Sequence, residues 1–257
     1  YVVGGGGFDS NLSACEKFRG RSGWSAIAAL STPRHALAAT TVNNKVYAAG
    51  GWIDGSVCSS HLEVYDADNN VWRELASMRV ARRLHGVAAY KNTDLFVFGG
   101  SCNDPHWHTA DVERYNIATN SWSSCNSVPD AGGNAAAGVV TPEGHELIFV
   151  FVFGKRVYCY DPETDIYIPL SPLPVFDWHC FQVATVGAHI YAVGGAAAGK
   201  WSRVIYRYNT MNDSWTQMAD MHVPRRRCAV AVVPIDSICN ISGTSAAENA
   251  PNSSANI

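Results

Sequence analysis

Short apolar runs separated by polar turn residues recur along the chain, and they predict β-strands joined by tight hairpins. One repeat shows the pattern clearly. Residues 86–90 are small and apolar, a polar turn follows, and residues 95–98 are strongly apolar up to a pair of glycines. Residues 110–115 alternate in part, residues 116–120 form a second turn, and a further strand begins at Ser121. Such punctuation is typical of antiparallel strands, and no stretch sustains a helical period.

Two landmarks measure the repeat. The first is an apolar strand that ends in a glycine pair, at residues 1–5, 47–51, 96–100 and 191–195, with a weakened copy at 151–155. The second is an aromatic residue at Trp24, Trp72, Trp122, Tyr167 and Trp215, so the repeats are 45–50 residues long. Repetition of one supersecondary unit at a fixed period predicts an array of stacked units. We expect the small first strands at its crowded centre and the large aromatic residues between adjacent sheets.

The motifs "YAAGG…LEVYDADNNVW", "FVFGG…VERYNIATNSW" and "YAVGG…IYRYNTMNDSW" resemble the kelch family over about residues 1–243. A period near 50 residues with four short strands per unit is typical of kelch repeats. The resemblance implies an all-β propeller built from four-stranded antiparallel blades. The fourth unit departs from the pattern, because Lys155 follows Gly154 and Tyr167 replaces tryptophan. We expect a blade there with irregular packing and a longer hairpin loop.

The two ends of the chain leave the number of blades open. Residue 1 falls within the second strand of a blade, and residues 238–243 stand where another strand with a glycine pair would lie. The sequence therefore predicts four full blades plus partial terminal blades. Either the parent protein has six blades, which we favour, or residues 229–233 pair with the N-terminal strands to close five. Residues 244–257 are small and polar, and we expect a disordered tail.

Composition narrows the class of protein. The 257 residues carry a net charge of −3, with 47% hydrophobic and 16% charged residues. These values favour a folded domain without the basic surface that nucleic acids require. The longest apolar run is far shorter than a membrane span. None of the eight cysteines forms a C-x-x-C pair, which favours free thiols in a reducing compartment. We predict a cytoplasmic protein with no cofactor, no nucleic-acid partner and no membrane partner.

Motifs that suggest catalysis or metal binding are better explained as loops. Residues 194–200 match a phosphate-binding loop, but Trp201 stands where that motif needs serine or threonine, and a strand follows. His106 and His108 lack an evident third metal ligand. Some copper radical oxidases also use kelch propellers, and nothing in the spacing of tyrosines, cysteines and histidines selects their site. We therefore predict no catalytic residues and no metal site.

Clusters of basic and aromatic residues recur before the first strand of several repeats, and radial repetition brings these loops to one rim. The predicted partner-binding residues are Arg34, His35, Arg82, Arg83, His85, Trp178, His179, Arg225, Arg226 and Arg227. Arginine can bind a carboxylate through paired hydrogen bonds, and arginine and aromatic residues are common interface hot spots. An alternative for Arg34 and Arg82 is that they tie blade to blade through backbone hydrogen bonds. Asn134 stands where the fourth unit should have a basic residue, so the face is asymmetric.

The repeats look most like the propellers of BTB–Kelch proteins. In that family the propeller recruits a substrate, while separate BTB and BACK regions bind a cullin-RING ubiquitin ligase. The resemblance implies a protein-interaction module whose rim loops bind a protein or peptide ligand, with an acidic motif as one candidate. Any cullin association would depend on regions outside these residues. An actin-binding or cytoskeletal scaffold is the alternative function.

Overall fold

The protein is described by a computed structural model that covers residues 1–6, 11–19, 23–53, 57–102, 108–141, 144–154 and 156–225. These residues form β-strands and connecting loops arranged as a five-bladed antiparallel propeller. The all-β propeller expected from the repeats is therefore confirmed. Within the described ranges, no helix could span a membrane.

The first three blades hold thirteen strands in the described residues. Blade 1 contains β1 (Val2–Gly6), β2 (Asn11–Arg19) and β3 (Gly23–Ile27). Blade 2 contains β4 (Ala38–Val42), β5 (Lys45–Ala49), β8 (Leu62–Asp66) and β9 (Val71–Leu75), plus the small hairpin of β6 (Trp52–Ile53) and β7 (Val57–Cys58). Blade 3 contains β10 (Gly86–Tyr90), β11 (Asp94–Phe98), β12 (Val112–Asn116) and β13 (Ser121–Cys125).

The last two blades repeat the same order. Blade 4 contains β14 (Asn134–Val140), β15 (Glu146–Val152), β16 (Val157–Asp161) and β17 (Ile166–Pro169). Blade 5 contains β18 (Gln182–Val186), β19 (His189–Val193), β22 (Ile205–Asn209) and β23 (Ser214–Gln217), plus the small hairpin of β20 (Ala196–Ala197) and β21 (Lys200–Trp201). The strands predicted within blade 3 and the glycine-rich hairpin predicted in blade 5 are thus confirmed.

Small residues on the first strands allow the blades to meet at the centre. Strands β4, β10, β14 and β18 contact one another in sequence. Ala39, Ala88, Ala136 and Thr185 are among the residues that line a cavity of about 330 Å³ between them. The small side chains let the first strands approach one another closely, in line with the alanine-rich pattern of these strands.

A repeated clamp joins each of blades 2 to 5 to the blade before it. In blade 3, Asn120 adopts a φ of 50° in the turn between β12 and β13. Its side-chain oxygen accepts hydrogen bonds from the Tyr115 hydroxyl (2.7 Å) and from the Ala76 backbone N–H (2.9 Å). The Trp122 indole N–H donates to the Ala76 carbonyl at 2.7 Å. Both backbone groups of the residue after the last strand of blade 2 are therefore bound by blade 3.

The equivalent turn residues of the other blades are Asn70, Asp165 and Asp213, all at positive φ and all accepting from a buried tyrosine hydroxyl. Tyr167 fills the tryptophan position of blade 4, and its hydroxyl donates to the Asn126 carbonyl at 3.0 Å. The Tyr167 hydroxyl thus makes the hydrogen bond that the tryptophan indole N–H makes in the other blades. This shared bond explains how the divergent repeat retains a regular four-stranded blade.

The glycine pairs are needed for close contact between each blade and the next loop. The Gly51 N–H donates to the Arg82 carbonyl at 2.8 Å. A Cβ on Gly50, whose φ is +61°, would lie 2.5 Å from that carbonyl oxygen. A side chain at this site would therefore both strain the backbone and collide with the neighbouring loop.

The longer hairpin loop expected in blade 4 lies between its first two strands. The loop between β15 and β16, residues 153–156, is shorter than the corresponding loop of blade 2, residues 50–61. The longer connection is the one between β14 and β15, residues 141–145, where blade 2 has a two-residue turn at 43–44. Gly154 nevertheless donates its N–H to the Trp178 carbonyl at 2.7 Å, as the second glycine does in the other blades.

Blade 1 contains three strands in the described part of the chain. The strand β1 begins at Val2 and pairs with β2. Gly5 donates to the Arg34 carbonyl as Gly51 does to the Arg82 carbonyl, so β1 holds the position of the predicted second strand, which begins one residue later than expected. The proposed closing strand at 229–233 and the tail at 244–257 lie outside the described residues. A six-bladed parent therefore stays a prediction.

Candidate protein-binding face

The loops that lead from one blade to the next lie on one side of the propeller, which we call the linker face. Because the strands are antiparallel, the loops between second and third strands emerge on the same side. Isolated bridges join the two sets of loops, between His35 and Trp52, Arg83 and Ser101, and His179 and Ala196. The turns between first and second strands, and between third and fourth, form the opposite hairpin face.

One position in each linker receives the backbone hydrogen bond from the preceding blade. It is occupied by Arg34, Arg82, Gly132, Trp178 and Arg225, whose carbonyls accept from Gly5, Gly51, Gly100, Gly154 and Gly195. We call this the tie position. Asn134, expected to replace a basic residue in blade 4, lies two positions later and is buried. Its amide donates to the carbonyls of Phe98 and Gly132, which connects blades 3 and 4.

Arg34 and Arg82 are inside the blades and not on the face. Both side chains are fully buried. Arg82 donates to Glu113 at 2.6 Å and to the carbonyls of Gly99 and Asp111. Arg34 has the same relation to Glu63, at 2.5 Å.

Burial lowers the pKa of the Arg34 and Arg82 guanidiniums, and the facing carboxylates oppose that effect. The glutamates also accept linker backbone N–H groups, as Glu113 does from Arg79 and Val80. These pairs fix each linker to the blade that follows it, and not blade to blade as the alternative expected. Their burial takes both arginines out of the binding face.

Trp178 occupies the tie position of blade 5 and is also fully buried. Its indole N–H donates to the Gly194 carbonyl at 2.7 Å, and its ring stacks on Phe181 at 4.3 Å between centroids. Tyr206, which stands where blades 2 and 3 have glutamate, packs edge-on at 5.7 Å. An aromatic cluster thus takes the place that an arginine–glutamate ion pair has in blades 2 and 3. The role of Trp178 is to stabilise the packing of blade 5.

His85 is likewise absent from the surface. It lies three residues after Arg82, at the position that Leu37 holds in blade 2, and it is 5% exposed. Neither ring nitrogen has a hydrogen-bond partner in the described part of the chain. Burial, together with the nearby Arg82 guanidinium, lowers the pKa of His85 to about 3.

The residue directly after the tie position does reach the linker face. His35, Arg83 and His179 are partly exposed and are held by the bridges described above. Nδ1 of His35 contacts the Asn11 side-chain oxygen at 2.5 Å. Nδ1 of His179 contacts the Asp177 carbonyl oxygen at 2.9 Å.

Aromatic residues that the sequence prediction omitted also contribute to this face. Phe176 is 94% exposed and Trp201 is 57% exposed, and both flank blade 5. Arg225 is exposed, and its backbone N–H donates to Ser202, next to Trp201. Trp52 directly follows the glycine pair of blade 2, and this placement was the available sequence signal for that residue. Arg226 and Arg227 lie outside the described residues.

The described residues contain no group of three or more His, Cys, Asp or Glu side chains arranged to hold a metal. In the histidine pair at positions 106 and 108, His108 is exposed and its Nδ1 contacts the Ser101 hydroxyl at 3.1 Å, while His106 falls outside the described ranges. Each described cysteine is a free thiol.

Comparison with known proteins identifies the repeat. The sequence model of the kelch motif matches residues 33–79, 82–129 and 177–222, leaving the divergent blade 4 unmatched. Similar proteins include Kelch-like protein 25 of Xenopus tropicalis, 30% identical over 77% of this chain and 35% of its own length. Kelch-like protein 35 of Mus musculus is 30% identical over 77% of this chain and 33% of its own length.

Kelch-like protein 38 of Mus musculus is 26% identical over 73% of this chain and 32% of its own length. The chain thus spans about a third of the length of the curated relatives it matches. The repeats that the kelch model matches are those of blades 2, 3 and 5, and each of them contains a glycine pair and the clamp. The chain belongs to the kelch family and forms a propeller of the kelch-like type.

Proposed function

We propose that this propeller binds a partner protein through its linker face, which makes it a non-catalytic interaction module. The observation that carries the proposal is the division between buried and exposed residues in the linkers. Arg34, Arg82 and Trp178 fix the linkers to the blades that follow them, while neighbouring positions present arginine, histidine and aromatic side chains to solvent. Exposed arginine and aromatic residues on a rigid scaffold are typical of interface hot spots.

The more specific proposal is that the partner is a substrate recruited to a cullin-RING ubiquitin ligase in the cytoplasm. It is supported by the kelch-like relatives and by the likeness of the repeats to BTB–Kelch propellers. The BTB and BACK regions of such an adaptor would belong to a longer parent protein. The chain's own contribution would be recognition, through the linker face.

Site-specific photo-crosslinking tests the binding face. Phe176 on the linker face and Met211 on the hairpin face are both highly exposed, at 94% and 58%. Replacing each in turn by p-benzoylphenylalanine gives matched probes on opposite faces. We expect a partner to be captured from cell extract at position 176 and then to bind the purified chain. Equal capture from both positions, or none at 176, would contradict the proposal.

The ligase role needs a separate measurement. The propeller alone, expressed in excess, should compete with the parent adaptor and lengthen the half-life of the protein captured at position 176. The variant Met211→Ala serves as a control that leaves the linker face intact. An unchanged half-life, with binding retained, would argue against substrate recruitment while leaving the interaction function in place.

A further inference from the structure

Arg83 differs from the buried arginines because its charge is held at the surface. Its backbone is fixed by two hydrogen bonds with Ser101, of 2.9 and 2.8 Å. Its side chain turns back to blade 2, where the guanidinium carbon lies 3.6 Å from the centre of the Trp52 ring. The residue therefore spans blades 2 and 3 on the linker face.

The ring that supports Arg83 is itself held in place. Trp52 exchanges two backbone hydrogen bonds with His35, of 2.7 and 3.1 Å. Its carbonyl also accepts from the Asn11 amide at 2.9 Å, and it pairs across the small hairpin with Cys58. A guanidinium stacked on a fixed indole loses little conformational freedom when a ligand binds.

The charge of Arg83 is not neutralised within the described residues. Arg34, Arg73, Arg82 and Arg114 each form an ion pair with a carboxylate, whereas Arg83 forms none there. Its Nε is buried and has no hydrogen-bond partner in the same part of the chain. Stacking occupies one face of the guanidinium, and because Nε is buried, the Nη donors are the ones left for a second interaction.

The neighbours of Arg83 along the linker face are neutral or basic in the described residues. On one side lie Trp52, His35 and Asn11. On the other side Ser101 contacts Nδ1 of His108, which is exposed. An anion approaching Arg83 from solvent would therefore face no carboxylate among these neighbours.

We infer that Arg83, stacked on Trp52, forms an anion-binding site for a carboxylate or phosphate group of a peptide partner. The inference rests on the proposed function, since it specifies the chemistry that the linker face recognises. It assigns recognition to Arg83 and excludes the preceding Arg82, whose donors are already used inside blade 3. A planar guanidinium matches both anions through paired N–H···O bonds.

Three short peptides test the inference on the whole chain. They are acetyl-Ala-Glu-Ala-amide, its phosphoserine counterpart, and a neutral glutamine counterpart. The readout is the NMR signal of the Arg83 Nε–H, together with that of the Trp52 indole N–H. We expect saturable shifts with the anionic peptides, with dissociation constants on the order of millimolar for one ion-pair contact. A response to glutamate alone or to phosphoserine alone identifies which anion the site accepts.

Variants supply the controls. Arg83→Gln should weaken binding of the anionic peptide by about tenfold, because it removes a charged bidentate donor. Arg83→Lys keeps the charge without the planar guanidinium, so its affinity for the anionic peptide should lie between those of the parent chain and Arg83→Gln. This variant also tests the site if Arg83→Gln folds poorly. Lys45→Gln, an exposed change at the start of β5 on the hairpin face, should bind as the parent chain does.

The result that would overturn the site is a response no larger with the anionic peptides than with the glutamine peptide. Unchanged affinity in Arg83→Gln would also overturn it. Partner capture at position 176 separates this failure from failure of the proposed function. Equal capture by the parent chain and Arg83→Gln would reject the anion site alone. Peptide shifts at Arg83 without capture of any partner would reject the interaction function alone.

Discussion

At the scale of single residues, two buried basic groups three positions apart have very different surroundings. The Arg82 guanidinium is matched by Glu113 and by backbone carbonyls. The His85 imidazole has no such partner, and its pKa falls to about 3. A buried group that cannot accept a proton couples the stability of the fold to pH. His85 should therefore be a source of acid sensitivity.

Replacing His85 with leucine should remove that sensitivity. Above pH 6.5 the imidazole is neutral in both the folded and unfolded chains, so it contributes no pH dependence. As pH falls from 6.5 toward 3, only the unfolded chain takes up the proton, and the free energy of unfolding decreases. Between pH 7.5 and 5.0 the expected loss is about 2 kcal/mol. Urea denaturation at both values measures it.

Leucine suits this position because Leu37 occupies its equivalent in blade 2, where it packs close to Gly4. His85→Leu should accordingly lose about 2 kcal/mol less than the parent chain over the same pH interval. His145→Gln, at an exposed residue, should keep the full dependence. An identical pH dependence in His85→Leu and the parent chain would show that another group is responsible.

At the scale of elements, the turn before each last strand determines how neighbouring blades join. Asn120 combines a φ of 50° with two accepted hydrogen bonds, from Tyr115 and from the Ala76 backbone. Asparagine and aspartate tolerate this backbone region better than other side chains and also supply the acceptor. The same two residue types fill all four such turns, which explains the "DNN", "ATN", "ETD" and "MND" sequences there.

Asn120→Ala should destabilise the protein by about 2–3 kcal/mol, since it adds backbone strain and leaves two donors without their acceptor. Asn120→Asp is the matched control. Asp165 and Asp213 make the same contacts in blades 4 and 5, so aspartate should cost less than about 1 kcal/mol. Equal losses in the two variants, measured by urea denaturation, would mean that the acceptor is unimportant.

At the scale of the whole molecule, the repeats determine the architecture but leave the exposure of adjacent residues undetermined. The glycine pairs and the aromatic spacing predict the strands because each makes the same contact in nearly every blade. The glycine pair contacts the next linker, and the aromatic residue binds the preceding blade. The pair Arg82-Arg83 reads as one basic cluster in the sequence. Only the carboxylate of Glu113, on a strand distant in sequence, shows that the first arginine is buried. The burial of Trp178 is hidden in the sequence for the same reason, because its packing against Phe181 and Tyr206 depends on the three-dimensional register.

The same register implies that stability is uneven around the propeller. All five residues of β11 are buried, as are the last five of β15, whereas blade 1 exposes Trp24 by 56% and Leu12 by 40%. Elements with few buried contacts open at a lower free energy than the core.

Native-state hydrogen exchange should therefore show a gradient from blade 3 to blade 1. Amides of β11 and β15 should exchange at rates close to those of global unfolding, because nothing less releases their buried side chains. Amides of β3 should exchange at least about 100-fold faster, equivalent to about 2.7 kcal/mol less protection at 25 °C. Low urea should accelerate the β11 amides before it affects β3, since only their opening exposes a large surface. Uniform protection across the blades would instead mean that blade 1 is held by contacts beyond those of the described residues.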